Sequence, residues 1–184
     1  AVMNSQVADR PTLLGDRREI TLGAGMGGLK EGCFLNMKNT SFTITAEVEV
    51  AKDATDGVIF AQGGRFGGYA LYVKDGVPAF CYNFVSMHRY YAKADKKLTD
   101  ERNHIVVDFK YDGGGFGKGG DVTLSVNNAV WATGRVDNTM GFFYSFDETV
   151  EVGKFSATPV TEDFTVKGSV FQGKIYTVNI KTYD

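Results

Sequence analysis

The chain has 184 residues, of which 43% are apolar and 13% aromatic, and a net charge of −2. A chain of this size buries roughly 70% of its extended surface, so it supports a core of its own and reads as one globular domain over residues 1–184. Charges of both signs are interspersed, and no run approaches the roughly 18 apolar residues of a membrane span. Composition therefore excludes a basic nucleic-acid footprint, a membrane-surface helix and a membrane-spanning helix.

The chain opens on AVMNSQVADR, which has no apolar core of signal-peptide type. Residues 1–10 read as a flexible segment. A cytosolic protein, a chain freed of its signal and a piece of something longer all fit this start. Cys33 and Cys81 make no disulfide framework. They read as two buried thiols, with a single disulfide as the alternative.

From residue 42 to 50 every even position is apolar (Phe42, Ile44, Ala46, Val48, Val50) and the odd ones are polar. Such alternation marks a strand with one wet face. The pattern returns at 69–73, 105–111, 122–126 and 176–180. Asp75-Gly76 between 69–73 and 78–84 is a hairpin signal. Asn127-Asn128 joins 122–126 to 129–135, and Asn tolerates the positive φ that such a turn needs. The best helix candidate, 92–102, is short and mostly charged. Roughly ten or more strands with regular turn signals predict an antiparallel sandwich or barrel.

Residues 111–120 read YDGGGFGKGG. Gly115 to Gly120 match G-x-G-x-x-G, but the dinucleotide fingerprint needs a helix next, to receive the pyrophosphate. The following segment alternates like a strand. A P-loop needs Gly at Asp112 and Ser or Thr at Gly119. The stretch is expected to be a hairpin loop whose glycines permit positive φ.

Glu47-Val48-Glu49 begins the two-carboxylate pattern of a sandwich glycosidase, but the third acid is missing and the wet face of a strand is the plainer reading. His88 and His104 form no zinc motif. Asp147 and Glu148 are carboxylates able to ligate calcium, without an EF-hand loop around them; solvated acids are again plainer, and no cofactor is expected. Tyr72, Arg89, Tyr90 and Trp131 are candidates for a sugar platform, since aromatic faces and Arg forks suit sugars or sulfate-like anions; aromatic packing is the plainer reading of Tyr72 and Trp131. Alternation puts Trp131 opposite Val130 and Ala132, on one face with Thr133 and Arg135. Arg65 and Lys118, in the glycine-rich stretches 63–68 and 113–120, are candidates to meet a sulfate or an acidic surface, and Arg135 joins them as a ligand or interdomain candidate.

A set of ordered motifs adds a resemblance. GVIFAQGGRFGG at 57–68, LYVKDG at 71–76, YNF at 82–84, DFKYDGGG at 108–115, GKGG at 117–120, TGR at 133–135, DET at 147–149 and TPV at 158–160 together resemble the C-terminal domain that follows the catalytic part of many bacterial arylsulfatases. The resemblance spans roughly residues 11–182. It implies an antiparallel jelly-roll sandwich of the concanavalin A-like (lectin/glucanase) or laminin G-like type. It also implies a parent that hydrolyses sulfate esters, a catalytic domain as partner, and a periplasmic or extracellular location. The catalytic C-x-P-x-R motif fits neither Cys33, followed by FLNM, nor Cys81, followed by YNFV, so no catalytic role carries over. Two departures stand out: the family pattern has acids where GKFSATP stands at 153–159, and Asn127-Asn128 replaces an Asp-Gly turn.

Three functions follow as expectations. The first is a non-catalytic accessory domain packed on an arylsulfatase-like catalytic domain and shaping substrate recognition. The second is a stand-alone lectin-like module that binds sulfated or other carbohydrate. The third is a degenerate glucanase using Glu47 and Glu49.

Overall fold

The computed structural model describes residues 14–50, 55–145 and 147–183; the expected flexible segment 1–10 lies outside these. In chain order the strands are β1 (Glu19–Leu22), β2 (Gly27–Leu29), β3 (Phe42–Glu49), β4 (Gly57–Gly64), β5 (Gly67–Lys74), β6 (Val77–Phe84), β7 (His88–Lys93), β8 (Arg102–Tyr111), β9 (Gly120–Val126), β10 (Ala129–Val136), β11 (Val150–Val152) and β12 (Lys174–Thr182). Among the described residues the only helical turns are short 3-10 turns at Glu31–Cys33 and Lys167–Ser169. The helix candidate 92–102 is instead the end of β7, a connection and the start of β8. It has no apolar stripe to bury, and most helical stability comes from such a stripe.

Two six-stranded sheets form, ordered β1-β12-β3-β8-β9-β10 and β2-β11-β4-β5-β6-β7. Neighbouring strands pair antiparallel throughout. The turns follow from residue type: Asp75 and Gly76 take φ of 51° and 79°, Asn127 and Asn128 take 50° and 67°. Positive φ at both central positions matches the right-handed twist of a hairpin.

The sheets enclose the main core. Phe42, Ile44, Ala46 and Val48 of β3 face Phe60, Tyr69, Leu71, Phe80 and Tyr82 of the second sheet. Phe42 stacks on Phe109 at 4.9 Å and on Tyr69 at 5.5 Å between ring centroids, each such pair adding about 0.5–1.5 kcal/mol beyond burial. The first sheet keeps its other face wet, as alternation predicts.

The middle strands of the second sheet, β4 to β6, are buried on both faces, so the wet face expected for 69–73 is dry. Val58, Ala61, Ala70, Tyr72, Ala79 and Cys81 point away from the main core and meet Phe155, Val160 and Phe164. These three belong to a strap, residues 153–166, that crosses the sheet's outer face. The face offers mostly small side chains, and the strap supplies the large ones. The edge strands β7 and β10 abut: a Cβ on Gly134 would lie 2.5 Å from the Tyr91 carbonyl oxygen.

Candidate functional site

Four connections gather at one end of the sandwich: the β4–β5 turn, the β6–β7 turn, the glycine-rich loop 112–119 and the segment 137–149. Met140 ties the segment 137–149 to the second sheet, its amide donating to the Tyr82 hydroxyl at 2.9 Å and its side chain lying against Gly67 at the start of β5. Asn39 joins two of the loops. At φ 57° it accepts from the Gly117 amide and donates to the Gly141 carbonyl, both at 2.8 Å. The Tyr111 hydroxyl braces loop 112–119 from within, donating to the Gly115 carbonyl at 2.5 Å and accepting from the Lys118 amide at 2.9 Å. Thr139 Oγ1 donates to the Lys118 carbonyl at 2.6 Å. The glycines permit the path, with positive φ at 113, 114, 115 and 117.

This tied framework presents apolar side chains to water. Phe66 is 67% exposed, Met87 73%, Phe116 49% and Phe142 51%. Phe116 and Phe142, from different loops, lie parallel within 21° at 6.0 Å between centroids. Arg65 and Lys118 stand on the same loops with exposed side chains that enter no ion pair among the described residues. The Arg65 backbone is fixed: its amide donates to Thr158 Oγ1 at 2.7 Å and its carbonyl accepts from Asn83 at 2.8 Å.

Tyr72, Arg89, Tyr90 and Trp131 lie in three separate places. Tyr72 and Arg89 point outward from the second sheet, beneath the strap. Tyr72 is fully buried, edge-on to Phe164 at 5.6 Å, and donates its hydroxyl to Asp163. Burial first, and then the Asp163 carboxylate, drives its pKa far up. Tyr90 pairs with Tyr82 in register and packs on the main core, so period two puts it opposite Arg89. Trp131 is the inserted residue of a bulge between Val130 and Ala132. Because two residues there oppose one, alternation breaks. Trp131 packs on the main core beside Ala132, under Lys96 Nζ at 4.5 Å, and parts from the outward Thr133 and Arg135.

Arg135 holds the root of the glycine-rich loop. It donates through two guanidinium nitrogens to Asp112, one at 2.9 Å, and to Asp121 at 3.1 Å. These contacts lower the Asp112 pKa and raise that of Arg135. The stretch 111–120 does run from β8 to β9 without a helix.

Asp147 is exposed. Glu148 is only 8% exposed; one carboxylate oxygen accepts from Thr158, and the other has no hydrogen-bond partner among the described residues. That carboxylate sits against Gly64, so this glycine serves internal packing. No group of three or more His, Cys, Asp or Glu able to hold a metal occurs among the described residues. Glu47 and Glu49 line the wet face of the first sheet, where Glu47 meets His104 and Glu49 accepts from the Tyr176 hydroxyl at 2.5 Å. Both cysteines are free. Cys81 is buried beneath the strap, its thiol pushed up to about 12 chiefly by burial, and Cys33 is half-buried.

The site was partly unread in the sequence. Phe66, Phe116, Phe142, Asn39 and Asp163 were not singled out. A phenylalanine inside a glycine-rich turn, as in Gly64-Arg65-Phe66-Gly67 and Gly115-Phe116-Gly117, was the available signal, because a turn has no core to bury it in.

No family profile matches the chain, and no curated protein sequence does. Solved structures do. The CBM40 module of the Ruminococcus gnavus IT-sialidase, bound to α2,6-sialyllactose, superposes with a TM-score of 0.57 at 17% identity, covering 90% of each chain. The Streptococcus pneumoniae NanB sialidase gives 0.63 at 13% identity, over 90% of this chain and 26% of the other. The LG1-3 region of the laminin α2 chain gives 0.52 at 10% identity, over 92% and 33%. The fold is a concanavalin A/laminin G-like antiparallel jelly roll. The arylsulfatase part of the resemblance gains no support from these structures.

Proposed function

We propose that the chain is a non-catalytic, lectin-like carbohydrate-binding module whose ligand docks on the loop end of the sandwich. The observation that carries this reading is the braced, exposed Phe116–Phe142 pair, with exposed Lys118 on the same loop as Phe116 and exposed Arg65 on another turn at that end. Aromatic rings supply large contact area at low conformational cost. Arg and Lys at the same end suit sulfate or carboxylate substituents. A CBM40 module of the same fold binds sialyllactose, which supports a carbohydrate ligand. Glu47 and Glu49, the one acid pair considered for hydrolysis, are engaged by His104 and Tyr176 on the opposite, wet surface of the first sheet.

The test is a glycan array carrying neutral, sulfated and carboxylated sugars. Wild type binds, and Phe116→Ala/Phe142→Ala binds at least ~10-fold more weakly, the scale of one lost contact worth ~1.4 kcal/mol, with melting temperature nearly unchanged. Silence of the wild type on every glycan sinks the reading. A second reading, an accessory domain of a sulfatase-like hydrolase outside the cytoplasm, draws on the exposure of Phe66 and Met87, which suits docking on a partner domain. A glycan-silent protein and an upstream C-x-P-x-R in the same reading frame would favour it.

A further inference from the structure

Strap residues 160–163 engage the polar side chains that point outward from β5, β6 and β7. Asn83 and Arg89 donate to the Val160 carbonyl at 3.1 and 3.2 Å. The Tyr91 hydroxyl meets Thr161 Oγ1 at 3.3 Å, and Arg89 also reaches Glu162 at 3.1 Å. Tyr72 and Lys93 both donate to the same oxygen of Asp163, Lys93 at 2.9 Å. Lys74 Nζ stands 5.1 Å from the Phe164 ring centroid. Of these groups, Tyr72 and Lys93 reach the Asp163 carboxylate and Arg89 reaches that of Glu162, while Asn83 and Tyr91 hold the strap at Val160 and Thr161 and the Lys74 ammonium pairs with Asp56.

Apolar contacts alone would seat the strap: Phe155, Val160 and Phe164 fill the trough of small residues. The polar set is additional, and it runs from the buried Tyr72 and Asn83 to an open margin, where the Glu162 side chain is 82% exposed and that of Lys93 46%. Charge-assisted hydrogen bonds of this kind, with an ammonium and a hydroxyl donating to a carboxylate, are among the strong ones by which a protein holds a carboxylate.

We propose that the outer face of β5–β7 is a carboxylate-binding site filled in cis by Asp163, and that a carboxylate-bearing ligand takes over its donors when residues 161–166 lift. Phe155 and Val160 stay seated during that motion. An acidic sugar and an acidic peptide offer the same group, and the test separates them. The site is distinct from the loop end and stands or falls independently of it.

Cys81 reports the motion, since it is fully buried beneath the strap. In a Cys33→Ser background, Glu162→Gln/Asp163→Asn is treated with a thiol reagent, beside the milder Asp163→Asn. Circular dichroism checks that each variant is folded. Cys81 reacts at least ~10-fold faster than in the background protein. Glucuronate or an acetylated, amidated Val-Thr-Glu-Asp-Phe peptide, at millimolar concentration, slows it again. Protection by glucuronate assigns the site to acidic sugars, and protection by the peptide alone assigns it to acidic peptides. An unchanged labelling rate, or faster labelling that neither probe slows, overturns the proposal. Tyr72→Phe/Lys93→Met removes the receptor instead: labelling rises and neither probe protects, whereas protection in that variant overturns the assignment too.

Discussion

Replacing Asn39 tests whether the loop end is a built surface. The side chain makes two bonds of 2.8 Å, one to each of two loops, and its backbone sits at φ 57°. Asn39→Ala removes both bonds, at about 0.5–1.5 kcal/mol each. It also places a Cβ residue in the left-handed region without the local hydrogen bonding that makes Asn tolerable, at roughly 1–2 kcal/mol. The sum is about 2–5 kcal/mol, which lowers the melting temperature by roughly 4–20 °C at ~2–4 °C per kcal/mol for a chain of this length. Asn39→Gly loses the bonds but not the backbone fit, and should be less destabilising than Ala by roughly 1 kcal/mol or more. Urea unfolding followed by circular dichroism measures both variants, and the glycan array then reports the loop order. Equal stability of Ala and Gly would show that positive φ carries no cost here. Wild-type stability in both would show that Asn39 does not tie the loops, and the platform argument would fail with it.

Two further outcomes follow from close packing and from charge. Gly64→Ala pushes a methyl into the Glu148 carboxylate and should cost about 1–3 kcal/mol, as overpacking does; in a Glu148→Ala background the same change should cost under about 1 kcal/mol by urea unfolding, and an undiminished cost would show that the clash lies elsewhere. Asp163 has a lowered pKa: burial opposes the shift, and the hydrogen bonds from Tyr72 and Lys93 outweigh it. A depressed carboxylate stabilises the fold above its unfolded value of about 3.9 and ceases to do so as pH falls through its folded value. Thermal melts from pH 5 to pH 2 should therefore decline more steeply in wild type than in Asp163→Asn. Asp112, also lowered by Arg135, is common to both proteins and cancels; parallel curves would remove Asp163 from the linkage.

Local rules in the sequence were enough for strands and turns. Period two in residues 42–50 was decided by which side chains meet water, and β3 follows it residue by residue. Asp-Gly and Asn-Asn marked their turns because few residues bear positive φ. The strand after YDGGGFGKGG was enough to disqualify a phosphate loop, since the missing helix is a local feature. The non-alternating run 57–61 was an overlooked sign of a strand buried on both faces.

Other features depended on what distant segments bring. The outer face of the second sheet is dry because the strap, far along the chain, lays Phe155, Val160 and Phe164 across it; the apolar runs at 69–73 and 79–82 mark strands buried on both faces but do not say what covers them. Packing, the plainer expectation for Tyr72, is its role there, and the same strap engages Arg89. Trp131 changed faces through one inserted residue, because a bulge is decided by pairing with β9 and not by the alternation of β10 itself. The Phe116–Phe142 pair exists because Asn39, in a third segment, ties two loops together. Alternation and turn chemistry act over a few residues, so the sequence by itself determined an antiparallel sandwich. Cover, bulge and loop contact act across the fold, so only tertiary structure decided which side chains remain free to meet a ligand.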